Sequence, residues 1–192
     1  MEIDQQKPPF MRQALTVGLI FAAILFFLEI LTGMLVIYSS PAAGMLVLSM
    51  FSMAIGCLVA AFAGMFGIRS YVNEFNVPMT FGDGAKIGLV VGVVVAFGNT
   101  VLDVIWMAIN PGFQERLLEA SIENIEAMQL PEEQKDQMID ALYTETQDAG
   151  TASSVGINLI GQIFMFGILN TLTGMLGVRF FATQPGDQQE QI

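Results

Sequence analysis

At 192 residues, 54% apolar and 13% charged, with a mean hydropathy of +0.62, the chain has one domain's length and too little polar surface to clothe a soluble one. It holds no histidine and a single cysteine, Cys57, which excludes intrachain disulfides, zinc sites of Cys/His spacing and Ser-His-Asp or Cys-His nucleophiles. Seven bases against eighteen acids give a net charge of −11, the wrong sign for nucleic acid.

Residues 1–13 are a polar lead-in containing Lys7, Pro8, Pro9 and Arg12. The first apolar run covers about 14–38. A helix crossing a bilayer needs about 20 such residues at roughly 1.5 Å rise each. A removable signal sequence has a core of only about 7–15. The run is therefore read as a retained membrane helix, and Ala42-Ala43-Gly44 lies too far downstream to be its cleavage site. Glu29 sits inside it. A charged residue at the centre costs about 3 kcal/mol on insertion scales, and each Leu, Ile, Phe or Val returns about 0.3–0.6. The run holds fifteen of those, so it inserts despite Glu29.

Ser40-Pro41 fits the start of a second span over 41–68, with serine capping and proline at the first helical position. The short link makes the first two spans an antiparallel hairpin. This second helix is expected to end at Arg69, and residues 70–79, with their Asn and Pro content, read as a loop. Thr80-Phe81-Gly82-Asp83 fits a capping box opening a third helix near Phe81, with its span at 84–109. Asp103 lies inside that span, and Asn110-Pro111-Gly112 stops it.

Between residues 112 and 150 stand ten acids and two bases. Phe113, Leu117, Ser121, Ile125 and Met128 recur at helical spacing, with Leu118 and Ile122 beside them and glutamates opposite. Leu130-Pro131-Glu132-Glu133 reads as a second helix start, with acids favoured by the helix dipole. Met138, Ile139, Leu142 and Tyr143 form that helix's apolar face. The segment is thus an extramembrane amphipathic helical hairpin, its stripe resting on its own partner helix, the membrane surface or another protein. Self-packing is the default expectation. Leu118, Ile122 and Ile125 are the candidate partner face. A fourth span covers 154–181, and the polar tail 183–192 is expected to be disordered.

The fold class predicted is all-α: an integral membrane four-helix bundle, a single domain over 1–192, with the hairpin between the third and fourth spans. Lys7, Arg12, Arg69, Lys86 and Arg179 flank one side, and Arg116 and Lys135 the other. The excess of bases marks the cytoplasmic side. Both termini are then cytoplasmic and the hairpin 112–150 lies outside.

Depth along the spans brings polar residues into one layer: Glu29, Asn99, Asp103, Asn158 and Gln162, with Ser49 and Ser52 at similar height. An ionisable residue at membrane depth is expensive and needs a reason. Three readings compete. Glu29, neutral, hydrogen-bonds a neighbouring helix as structural glue; or Glu29, Asp103 and Asn99 form a cation or proton site; or Glu29 faces a partner subunit. Small residues recur every four positions as Gly56-Ala60-Gly64 and Gly84-Gly88-Gly92-Ala96, joined by Gly167, Gly174 and Gly177. Such faces let helix backbones approach closely, within one chain or between copies.

The four-span layout, the TFGDGAK entry at 80–86, Ile109-Asn110-Pro111-Gly112-Phe113 before an acidic helix, and Leu130-Pro131-Glu132-Glu133 together resemble the bacterial membrane family called domain of unknown function (DUF) 4199. The resemblance covers nearly the whole length. It implies a small bacterial cytoplasmic-membrane protein, and it brings no reaction, ligand or functional residue. The expected function is an accessory or scaffold subunit that meets the lipid bilayer and another membrane protein or further copies of itself. The alternative is a small cation- or proton-handling protein using Glu29 and Asp103. No enzyme activity, cofactor, metal or nucleic-acid partner is expected.

Overall fold

A computed structural model describes residues 8–39, 44–148 and 152–182. They form six helices: α1 (Met11–Tyr38), α2 (Gly44–Phe75), α3 (Phe81–Ile109), α4 (Phe113–Glu126), α5 (Glu132–Asp148) and α6 (Ala152–Phe181). The described residues contain no strand, so the chain is all-α as its periodicity requires. The Ser40-Pro41 cap and the tail 183–192 lie outside the described residues.

Four of these helices, within Met11–Tyr38, Met50–Phe75, Phe81–Ile109 and Ser153–Phe181, are long and apolar enough to cross a bilayer. At most 39% of the most apolar window of any of them is buried within the chain. The remainder displays large apolar side chains outward, among them Phe27 (70% exposed), Phe51, Phe164 and Phe180. Leaving such a side chain in water instead of burying it forgoes roughly 1.5–3 kcal/mol apiece. Lipid is the solvent that removes this cost.

Helix ends follow local chemistry. At the start of α3, the Asp83 N–H donates to Thr80 Oγ1 (3.3 Å), and the Thr80 N–H donates to Asp83 Oδ2 (2.9 Å). This is the reciprocal capping box read from the sequence. Pro111 ends α3, and the Asn110 side chain then accepts from Arg116 Nη2 at 3.0 Å. Pro131 precedes α5, where its carbonyl accepts from the N–H groups of Gln134 and Lys135.

One boundary departs from expectation. Residues 70–75, read as loop, continue α2 to Phe75. Tyr71 is buried, its hydroxyl donates to the Pro8 carbonyl (2.8 Å), and its ring meets Phe75 one turn on. Gln13 Nε2 donates to Glu74 Oε2 at 2.8 Å. These tertiary contacts outweigh the weak helix propensity of the segment. Asn76 ends the helix at φ 47, a left-handed cap that asparagine tolerates better than most residues.

The described chain groups into two compact units, a finer division than the single membrane domain read from the sequence. The first takes residues 8–22, 59–98 and 161–182, the second residues 23–39, 44–58, 99–148 and 152–160. In the first unit α2, α3 and α6 pack backbone to backbone. A methyl group added at Gly88 would strike the Asn170 carbonyl, one at Gly84 would strike the Gly174 carbonyl, and one at Gly92 the Phe166 carbonyl. Gly64 and the Gly84-Gly88-Gly92 stripe thus make close contacts within the chain. Asn170, fully buried, crosses this seam: its Oδ1 accepts from the Gly64 N–H and its Nδ2 donates to the Phe166 carbonyl. Thr173 Oγ1 donates to the Ala61 carbonyl beside it.

In the second unit α4 and α5 contact each other, so the hairpin self-packs. Phe113 anchors its first turn: the ring fills the notch left by Gly33 of α1 and stacks edge-on against Trp106 at 5.7 Å. Ile125 is buried (2% exposed), while Leu118 and Ile122 are half-buried. Ile125 is therefore interior and not part of an open partner face: the chain's own folding has already covered that end of the stripe.

Candidate functional site

Asn99 and Asp103 stand four residues apart on α3, and so one above the other on one helix face. Glu29 reaches them from α1. Asn99 Nδ2 lies 3.4 and 3.3 Å from the two Glu29 carboxyl oxygens and 3.3 Å from Asp103 Oδ2. Both carboxyls therefore meet at one amide nitrogen. Two carboxylates brought this close repel each other, and a proton on one of them relieves the repulsion.

Burial differs across the three. Asn99 is 2% exposed, Asp103 is half-buried, and Glu29 keeps an exposed flank although protein atoms crowd and desolvate its carboxyl. The charged neighbour acting on Asp103 is Glu29, and among the described residues no lysine or arginine pairs with either. Asn99 Oδ1 is buried without a hydrogen-bond partner, as are Thr100 Oγ1 and Trp106 Nε1 on the same helix. Thr32, one turn along α1 from Glu29, hydrogen-bonds Ser52 of α2 and also donates to the Leu28 carbonyl. Among the described residues, no set of three or more His, Cys, Asp or Glu is placed to hold a metal ion.

Of the five polar residues that depth assigns to one layer, three meet. Asn158 is exposed and makes no hydrogen bond to the trio. Gln162 belongs to the first unit, where its Oε1 is buried and unpartnered. The Ser49 side chain lies outside the described residues. Sequence reasoning missed Asn170 and Thr173, the polar lock of the first unit. The signal was there: Asn170, Thr171 and Thr173 interrupt an otherwise apolar run.

No curated protein and no solved structure matches the chain. A family model does, the one described as Protein of unknown function (DUF4199), and it aligns with residues 14–179. That stretch takes in nearly the whole of the four spans, the capping box at Thr80, the hairpin and the Glu29–Asn99–Asp103 trio, and the chain belongs to this family.

Proposed function

We propose that this multi-pass membrane protein binds and releases a proton at the Glu29–Asp103 pair. The observation that carries the reading is two carboxyls from different helices held against the amide nitrogen of one buried asparagine. Two acids placed together at membrane depth with no base beside them are costly for structure alone. In this reading both termini are cytoplasmic, as the excess of bases there favours, and the α4–α5 hairpin lies outside a bacterial cytoplasmic membrane. No covalent chemistry is assigned to the chain.

Proteoliposomes loaded with a pH-sensitive dye test this. After an external acid jump, wild type should equilibrate faster than empty vesicles, and Glu29→Gln and Asp103→Asn should fall to the empty-vesicle rate. Equal rates for all four preparations would overturn the reading.

A second reading, an accessory subunit or self-associating scaffold, draws on two observations. Glu29 has its exposed flank, and no described side chain of α5 is buried, with Tyr143 47% exposed. Both surfaces would be covered by another membrane protein or a further copy of the chain. Crosslinking in native membranes that traps only the monomer would count against it.

A further inference from the structure

We propose that a cavity in the first unit receives the phosphate headgroup of an anionic phospholipid, with Lys86 as its counter-charge. The cavity, of about 230 Å³, lies where α2 has ended and α3 begins, closed on one side by the Pro8–Phe10 lead-in. Three of its lining residues, Tyr71, Met79 and Ile87, are no more than 2% exposed, so its floor is sealed and largely apolar. Three polar groups border it, and two are already engaged. The Tyr71 hydroxyl donates to the Pro8 carbonyl. Asp83 Oδ2 accepts from the Thr80 N–H and hydroxyl at 2.9 and 2.8 Å, at a helix start whose dipole offsets its charge. Lys86 is exposed and pairs with no described carboxylate. It is the charge left for a ligand.

Depth and size select a lipid over a soluble anion. The 29 residues of α3 run about 43 Å, against a hydrocarbon core of about 30 Å. Centred, the helix leaves about 6–7 Å at each end among the headgroups. Lys86, five residues beyond Phe81, stands about 7.5 Å along the axis, at the boundary of that layer. Helical side chains lean toward the N-terminus, and lysine carries its ammonium outward past apolar surface, which brings the charge to phosphate level. Sites that enclose a whole small molecule measure about 300–1,000 Å³. This cavity is smaller, so it takes a headgroup and leaves the acyl chains outside. They have a surface to follow: Leu89, Val93 and Phe97 succeed Lys86 at spacings of three and four on one helix face, and all are exposed. A soluble phosphate would gain the ammonium and nothing from the stripe. The site is independent of the carboxyl pair, which belongs to the second unit.

Thermal unfolding of the full-length, detergent-solubilised protein tests this, because a ligand of the folded chain raises its midpoint. Dioleoyl phosphatidylglycerol should raise the midpoint saturably, whereas dioleoyl phosphatidylcholine and inorganic phosphate should not. Lys86→Gln should need at least fivefold more phosphatidylglycerol for half the effect, and Lys86→Arg should restore the response. Arg179→Gln removes an exposed base outside the cavity and should leave the response unchanged. Equal losses in Lys86→Gln and Arg179→Gln would reduce the effect to diffuse surface attraction and overturn the site. An equal response to phosphatidylcholine would overturn the role of charge, and an equal response to inorganic phosphate would overturn the lipid assignment. The comparison of lipids on the wild type decides the matter even where a variant fails to fold.

Discussion

Replacing Gly88 by alanine tests whether the small-residue seam holds the first unit together. The added Cβ would overlap the Asn170 carbonyl oxygen, with the carbonyl carbon 2.8 Å away and Thr171 Cα 3.2 Å away. Carbon atoms prefer roughly 3.5–4.0 Å, so α6 must retreat from α3 by about 1 Å. These neighbours are backbone and cannot swing aside. Overpacking of this kind costs about 1–3 kcal/mol, and a backbone obstacle places it at the upper end, about 3 kcal/mol. The gain in helix propensity from glycine to alanine returns about 1 kcal/mol, for a net loss of about 2 kcal/mol. Gly56→Ala is the control: its Cβ would meet only Leu25 Cδ2, at an ordinary 3.9 Å, so the propensity gain stands alone. The two variants should differ by about 3 kcal/mol in reversible unfolding by denaturing detergent in mixed micelles, followed by circular dichroism. A Gly88→Ala protein as stable as Gly56→Ala would refute the close approach of α3 and α6.

Thr173→Val keeps the side chain's shape and removes its hydrogen bond to the Ala61 carbonyl; it should cost about 1 kcal/mol in the same assay, the scale of interhelical hydrogen bonds in membranes. Phe113→Ala empties the notch over Gly33 and should cost about 3 kcal/mol. Because Trp106 is the chain's only tryptophan and loses its edge contact, its fluorescence should change with the mutation, and an unchanged spectrum would contradict the anchor. Tyr71→Phe removes the bond to the Pro8 carbonyl and should speed hydrogen exchange at the end of α2, residues 71–76, with a loss of about 1 kcal/mol.

The sequence made the spans legible because hydropathy over twenty residues is a large, additive signal. It made the Thr80–Asp83 cap and the proline stops legible because their chemistry is local. Depth along a helix was legible too, which is why Glu29, Asn99 and Asp103 could be placed at one height. Rotation was not. Asn158 shares that height, but its face is set by how α6 packs, and it points outward. The same blindness to tertiary contact hid the extension of α2 through Phe75, which depends on Tyr71 and Glu74 finding Pro8 and Gln13. It also left Ile125 on a supposed partner face, because amphipathic spacing shows that a stripe must be covered and not what covers it. Asn170 went unread because a lone asparagine in an apolar run has no partner until the facing helix is known.

Infrared difference spectroscopy during a pH titration tests the central claim most directly. If Glu29 and Asp103 share one proton, the wild type shows one protonated-carboxyl stretching band that titrates, and Glu29→Gln and Asp103→Asn each abolish or shift that same band. Two independent bands, each lost with its own residue and indifferent to the other substitution, would contradict the shared site.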